Sequence, residues 1–249
     1  MAARRRLDAD LVRRGLVDSR QQAHALIEAG RVTVGGAIAT KPARLVDPGE
    51  PVLILGDPPR FVSRGGEKLD AALDGFAVAV EGRRALDAGS STGGFTDCLL
   101  QRGCASVIAV DVGRGQLHPR MRDDPRVTVR ERTDIRAIDL EELGGQVDLV
   151  VGDLSFISLR TVLDALLALV RPGGDLVLLV KPQFEVGRAE ASRGKGIIRD
   201  PEVRAAALAD VRDALTGRGA VIMGEMTSPL KGGAGNVEFL LHARAPEAG

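Results

Sequence analysis

The segment Leu86-Asp-Ala-Gly-Ser-Ser-Thr-Gly-Gly-Phe95 constrains the fold more than any other part of the chain. An apolar stretch ending at Ala85-Leu86-Asp87 runs into glycines, and an amphipathic helix is expected over 94–101. Glycines at a strand-to-helix turn let the backbone approach a ligand closely, and the helix start offers free N–H groups. The spacing excludes two common uses of such a turn. A dinucleotide fingerprint needs Gly-x-Gly-x-x-Gly, but Ser91 stands where the second glycine belongs. A phosphate-cradling loop needs Gly-x-x-x-x-Gly-Lys-Ser/Thr, which the chain lacks.

Downstream, strands are expected at 107–110, 127–130, 147–151, 176–180, 220–226 and 237–242, with helices at 67–76, 94–101, 159–170 and 201–216. Leu176 to Val180 is apolar on both faces, as in the middle of a parallel sheet. This alternation predicts an α/β, Rossmann-like domain with a mostly parallel sheet. The last two strands lack an intervening helix, which predicts one antiparallel strand at the sheet edge.

The first sixty residues read differently. Short helices are expected at 8–15 and 20–29, the second capped by Ser19 with Gln22 three residues on, followed by short strands at 31–34, 37–39 and 52–55. Pro58 and Pro59 cannot continue a central strand, so a boundary is expected there: a small α+β domain over 1–59, a linker over 60–63 and the α/β domain over 64–249. The chain is neutral overall, with 34 basic and 34 acidic residues, yet residues 1–31 hold seven arginines against four acids. That local excess points to a polyanion, with Arg4, Arg5, Arg6, Arg13, Arg14 and Arg20 as candidate RNA phosphate contacts.

Six Phe and no Trp or Tyr argue against a surface built on aromatic stacking. Cys98 and Cys104 read as small buried hydrophobes, and His24, His118 and His242 are too scattered to suggest a metal site. No apolar run approaches the roughly 20 residues of a membrane span, and the amino terminus lacks the apolar stretch of a secretory signal, so a cytoplasmic location is expected.

Three acids follow successive strands, at the edge where ligands of open α/β sheets bind. Asp87 points into the glycine turn and suits a cationic group better than pyrophosphate, as S-adenosylmethionine would provide. Asp111 is placed to accept ribose hydroxyls, and Asp134 an adenine amino group. Gly89, Ser90, Ser91, Thr92, Gly93, Gly94 and Phe95 complete the candidate cofactor site. Asp153, Lys181 and Glu238 fall at element ends facing the same edge, and Lys68 lies on the helix before the first strand. Methylating a ribose hydroxyl requires proton removal from a very weak acid, work a lysine does when burial and nearby positive charge favour its neutral form.

These residues resemble those of the TlyA family (often called hemolysin A) within the FtsJ-like ribose methyltransferases. The similarity is carried by Ser19-Arg-Gln-Gln-Ala23, Val62-Ser-Arg-Gly-Gly66, the turn from Leu86 to Thr96, Asp153-Leu-Ser-Phe-Ile-Ser158, Val180-Lys-Pro-Gln-Phe-Glu-Val-Gly187 and Gly235-Asn-Val-Glu238. The resemblance implies a ribosomal-protein-type RNA-binding domain ahead of the methyltransferase domain, with a short linker at Arg60-Phe-Val-Ser63 that affects cofactor affinity. It implies a catalytic tetrad falling on Lys68, Asp153, Lys181 and Glu238. The implied reaction is 2′-O-methylation of cytidine in ribosomal RNA of the large subunit, and in some members also of the small one. A membrane-acting hemolysin would need an apolar span or a strongly amphipathic surface helix, and neither is visible. An RNA-binding protein with an inactive methyltransferase domain is disfavoured by the intact tetrad. The glycine- and charge-rich loop over 185–199 reads as a segment closing over substrate or as a plain connector.

Overall fold

A computed structural model describes residues 4–247, apart from 18, 57–58, 188–193, 195 and 233–234. The chain divides into two compact units, Met1–Arg60 and Phe61–Gly249. Phe61 is buried in the core of the second unit, and the Val62 N–H donates to Asp97 there at 2.8 Å, so these two residues are not free linker.

In the first unit, α1 (Leu7–Arg13) and α2 (Arg20–Glu28) pack on short strands. Ser19 caps α2 by accepting the Gln22 N–H at 3.2 Å. Strands β2 (Val32–Val34), β3 (Ala37–Ile38) and β5 (Val52–Ile54) form an antiparallel sheet in the order β3-β2-β5. Two further strands, β1 (Arg5–Arg6) and β4 (Leu45–Val46), pair with each other. Leu7, Leu11, Ala23, Ile27, Val32 and Val34 form a core of their own.

The second unit is built on a seven-stranded sheet of β6 (Arg84–Ala88), β7 (Ser106–Asp111), β8 (Val127–Glu131), β9 (Val147–Gly152), β10 (Val170–Val180), β11 (Val221–Thr227) and β12 (Phe239–Arg244), in the order β11-β12-β10-β9-β6-β7-β8. Strands β8, β7, β6, β9 and β10 run parallel. The antiparallel strand is β12, and it is not at the edge: it lies between β10 and β11, antiparallel to both. The reason is in the side chains. Leu240, Leu241 and Ala243 are fully buried and need cover on both faces, whereas β11 leaves Val221 and Met223 exposed, as an edge strand tolerates.

Alternate residues of the strands feed two cores. Leu86, Ile108, Val150 and Leu178 pack beneath α6 (Leu140–Leu143), α7 (Leu163–Leu169) and the long α9 (Pro201–Thr216). Ala85, Val107, Leu149 and Leu179 pack beneath α3 (Gly65–Gly75) and α4 (Gly94–Gln101), with Met121 of α5 (Pro119–Arg122). The helix expected over 159–170 is broken. Residues Leu159–Thr161 form a tight turn capped by Ser158, and β10 already begins at Val170, with a register shift between Val170 and Asp175. The short α8 (Pro182–Glu185) follows β10. Much of the 185–199 loop lies outside the described residues.

Candidate active site

The parallel order reverses between β6 and β9, the place where open α/β sheets open a crevice at the carboxyl ends of their strands. The registers bring the candidate residues to that edge. Ala88 pairs with Gly152, so the turn after β6 and Asp153 are neighbours, and the Asp153 N–H donates to the Ala88 carbonyl at 2.9 Å. Val180 pairs with Phe239; because β12 runs backwards, Glu238 at its start meets the same edge as Lys181 at the end of β10.

The turn after β6 is held open by left-handed residues: Gly89 at φ 84°, Ser91 at φ 46° and Gly93 at φ 94°. The Gly89 and Ser90 N–H groups both donate to the Val110 carbonyl, at 2.9 and 3.0 Å. The Ser91 N–H donates to Asp111 Oδ2 at 2.8 Å, while Asp111 Oδ1 accepts the Gly113 N–H at 2.6 Å. A Cβ on Gly89 would sit 2.7 Å from the Asp153 carbonyl oxygen. One on Gly94 would collide with Ser63 Oγ. Gly89→Ala should therefore cost roughly 1–3 kcal/mol of stability and weaken cofactor binding, read by thermal melting and calorimetric titration; an unchanged affinity would remove the close-approach argument. Ser91 and Thr92 are exposed at the turn, whereas the Phe95 ring is buried in the core 3.5 Å from a Cβ position on Gly65. Phe95 thus lends the turn only its backbone.

Asp87 is completely buried. Its Oδ2 accepts the Thr96 hydroxyl at 2.7 Å, and its Oδ1 has no hydrogen-bond partner among the described residues. Burial pushes its carboxyl up to about 7, against the Thr96 hydrogen bond and with help from the charges of Asp153 and Asp111. An orphaned carboxylate oxygen beside a glycine-lined turn fits a cationic ligand. Asp134 stands differently: it caps Ile135–Ala137, and Arg136 Nη2 and Nε donate to it at 2.6 and 3.0 Å, holding its carboxyl down to about 2.

The four tetrad residues form two ion pairs. Lys68 Nζ lies 2.5 Å from Glu238 Oε2, both side chains buried. Lys181 Nζ lies 2.5 Å from Asp153 Oδ1 and donates to Ser155 Oγ at 2.7 Å. The backbone of α3 reaches this position because Gly66 has no side chain; a Cβ there would collide with the Phe61 ring.

Three features around the pairs escape sequence reading. Glu185, buried, accepts the Ser158 hydroxyl at 2.5 Å and the Leu159 N–H at 2.8 Å, tying the loop after β9 to the helix after Lys181. Asn236, two residues before Glu238, accepts the Ile198 N–H at 3.0 Å and donates to the Gly196 carbonyl at 2.8 Å. Phe156 is 92% exposed with φ 66°, and its ring lies 5.2 Å from that of Phe184, over which Lys181 Nζ sits at 5.8 Å. A scarcity of aromatics therefore does not exclude stacking; the chain has placed two of its six beside a catalytic candidate. Loop residues of this kind carry no periodicity, and their signal is the strings that hold them, Asp153-Leu-Ser-Phe-Ile-Ser158, Val180-Lys-Pro-Gln-Phe-Glu-Val-Gly187 and Gly235-Asn-Val-Glu238.

The candidate RNA-binding arginines are mostly engaged within the first unit. Arg4 pairs with Asp47 at 3.0 Å. Arg6 and Arg20 pair with Asp8 at 2.9 and 2.7 Å, and Arg13 and Arg14 with Asp10 at 2.9 and 2.5 Å. Arg14 also donates to the carbonyls of Asp47, Pro48 and Glu50. Arg5 is exposed on β1.

An open α/β sheet with a glycine turn, a buried acid with one unpaired oxygen and two lysine–carboxylate pairs at one edge suits a transferase of the Rossmann-like class, and the comparisons make the class specific. An FtsJ-like methyltransferase model matches residues 61–245, and an S4 domain model matches residues 5–52. The 16S/23S rRNA (cytidine-2′-O)-methyltransferase TlyA of Mycobacterium tuberculosis is 52% identical over 98% of this chain and 91% of its own length. Hemolysin A of Brachyspira hyodysenteriae is 37% identical over 95% and 98%. A solved structure from Streptococcus thermophilus that bears a hemolysin name superposes with a TM-score of 0.78 at 38% identity, covering 98% of this chain and 90% of that one. The chain belongs to the TlyA family of FtsJ-like methyltransferases.

Proposed function

We propose that this protein transfers a methyl group from S-adenosylmethionine to the 2′-hydroxyl of cytidine in ribosomal RNA, with the large subunit as its first substrate and the small subunit as a second one to test. The observation that carries the reading is the pair of lysine–carboxylate couples, Lys68–Glu238 and Lys181–Asp153, at the sheet edge that also holds the Asp87 turn. S-adenosylmethionine supplies a methyl group activated by a sulfonium, with an ammonium as a second cationic handle. Asp87 receives a cationic group, the backbone from Gly89 through Ser90, Ser91, Thr92 and Gly93 to Gly94 lets the cofactor approach, and Asp111 takes ribose hydroxyls. Asp134, already engaged by Arg136, has only its remaining lone pairs for an adenine amino group.

Lys181, held between Asp153 and Ser155, positions the 2′-hydroxyl, and its couple with Asp153 takes up the departing proton. Glu238 holds Lys68 on the other side of the acceptor, and the exposed Phe156 with Phe184 gives the target base an apolar face. The hemolysin name of some relatives suggests a rival, membrane-acting role, but among the described residues no helix is long and apolar enough to cross a membrane. The test is incubation of purified large and small ribosomal subunits with labelled S-adenosylmethionine. Label in the RNA of either subunit supports the reading and identifies the substrate. Label in neither, from a protein that binds the cofactor, moves the activity to another acceptor.

A further inference from the structure

At the edge of the sheet opposite the catalytic couples lies a second polar cavity. Strands β10 and β12 run in opposite directions, so the start of one meets the end of the other: Asp175 pairs with Arg244, and Val177 with His242. On this face of the sheet Leu179 and Leu240 pack beneath α3, but the helix stops at Gly75. Ala77, at φ 54°, turns the chain away and leaves a hollow over the next row of side chains. The hollow has a volume of about 190 Å³, and Phe76, Arg83, Asp175, Met223, His242 and Arg244 are in its wall. Gly224 admits the Phe76 ring, since a Cβ there would sit 2.8 Å from it, and that ring lies 5.6 Å from the ring of His242. His242 is four residues beyond Glu238, roughly 13 Å along the strand, so the cavity is separate from the methyl-transfer site.

The floor of this cavity is a fixed chain of polar groups. His242 is 4% exposed and Asp175 6%. Arg83 Nη1 donates to Asp175 Oδ2 at 2.6 Å, and His242 Nε2 lies 2.8 Å from Oδ1. Burial would raise the Asp175 carboxyl, but the His242 and Arg83 hydrogen bonds outweigh it and hold the group down to about 2. The acid is therefore ionised and only accepts, which places a proton on His242 Nε2 and turns Nδ1 away. That Nδ1 has no hydrogen-bond partner among the described residues. Arg244 Nε stands 3.8 Å from Asp175 Oδ1, outside hydrogen-bond reach, and its side chain is 46% exposed. The neighbouring acid Asp148 is already taken, by Arg171 at 2.8 Å and the Arg84 N–H at 2.9 Å. Two guanidinium groups and a buried imidazole with an open nitrogen thus face one hollow. A buried polar atom without a partner is costly until a ligand or water meets it.

We propose that Arg83, His242 and Arg244 bind a small free oxyanion of the phosphate type, and that Asp175 is the positioning residue that aims His242 at it. At about 30 Å³ per water the cavity holds the equivalent of six waters, room for a phosphate group and a few further atoms. A backbone phosphate carries a ribose on either side, and these would not follow it down to His242. The site takes no part in methyl transfer and does not rest on that reading. Nδ1 donates to an anion only from the protonated ring, with Asp175 holding the other N–H, so binding takes up a proton. The groups around the ring leave that proton to His242. Asp175 and Asp148 are held ionised, the guanidinium groups keep their charge, and burial pushes up the Cys104 thiol that donates to the Arg83 carbonyl.

The experiment is calorimetric titration of the full chain with sulfate across about pH 6–8, at an ionic strength held constant with chloride, with thermal melting of every variant alongside. Sulfate has the shape of phosphate and keeps one charge throughout that range. The wild type should give a saturable one-to-one isotherm with a Kd of about 1 mM or tighter, and affinity should fall as pH rises. Arg244→Ala removes a half-exposed side chain that the fold does not need, and should weaken binding about tenfold. His242→Gln keeps a donor for Asp175 but has no second ring nitrogen, so it should bind several-fold more weakly with a flat pH profile. Asp175→Asn adds positive charge and should still bind more weakly, because the ring loses its aim. Inorganic phosphate and glycerol phosphate should each displace sulfate, and the tighter of the two identifies the source of the anion. A titration that does not saturate, or one unchanged in Arg244→Ala and His242→Gln, overturns the proposal. So does a flat pH profile in the wild type, or tighter binding by a folded Asp175→Asn protein. Displacement of sulfate by an RNA oligonucleotide without terminal phosphates gives the site to the RNA backbone and overturns the free anion.

Discussion

Lys181→Ala is expected to lower methyl transfer by about 10²–10⁴-fold while leaving S-adenosylmethionine affinity near that of the wild type. Lys181 stands at the carboxyl end of a strand apolar on both faces, and its amine is fixed by Asp153 at 2.5 Å and Ser155 at 2.7 Å. Alanine removes both the proton path and the group that aligns the acceptor oxygen. The cofactor's contacts lie on the turn after β6 and are not touched. Asp153 loses the partner of its buried Oδ1, so thermal melting of the variant runs beside the kinetics to separate a lost fold from lost chemistry. Titration calorimetry and single-turnover transfer separate the two quantities. A variant that turns over at the wild-type rate removes Lys181 from the chemistry. One that loses cofactor binding in step with transfer makes Lys181 part of the cofactor site instead.

Asp87→Asn should act in the opposite sense on stability and on binding. In the ligand-free protein the Asp87 carboxyl is pushed up to about 7, chiefly by complete burial. An unfolded aspartate ionises near 3.9, so from about pH 4 to pH 7 the folded chain holds a proton that the unfolded chain releases. Stability therefore falls as pH rises through that window. Asparagine removes the dependence and should raise the melting temperature above pH 7. Binding of a cationic cofactor requires the ionised acid, so wild-type affinity should rise between pH 6 and pH 8, about tenfold per unit below the carboxyl's pKa. The Asn variant should bind at least tenfold more weakly at pH 8, with a flat profile. Equal affinity and an equal pH profile in the two proteins would detach Asp87 from the cofactor.

The parts of this structure that local chemistry specifies were legible in the sequence. Helix α9 begins at Pro201 behind Asp200, whose carboxylate accepts the Glu202 N–H, and both signals are visible in the residues. Helix α4 follows from the glycine turn in the same way. What escaped depends on distant partners. Two-residue strands such as β1 and β4 are too short for any period and exist only because they pair across forty residues. The break between Leu159–Thr161 and α7 reflects Glu185, which captures Ser158 and the Leu159 N–H from a later segment. The place of β12 inside the sheet rather than at its rim follows from which neighbours cover Leu240 and Leu241, a tertiary fact. The site divides along the same line. Acids and lysines at strand ends announced Asp87, Asp153, Lys181 and Glu238, but not that Lys68 meets Glu238 from 170 residues away. The basic amino-terminal end was legible as charge, while the pairing of its arginines with Asp8 and Asp10 needed the fold.

The central claim is chemical: the acceptor is a cytidine ribose oxygen, and the paired lysines act on it. It is tested most directly by digesting RNA from the labelled subunits to nucleosides and separating them by chromatography and mass. The account predicts that the label elutes as 2′-O-methylcytidine with the wild-type protein and that its rate of appearance falls by about 10²–10⁴-fold with Lys181→Ala. Label on the cytosine ring, or on any other nucleoside, would contradict it.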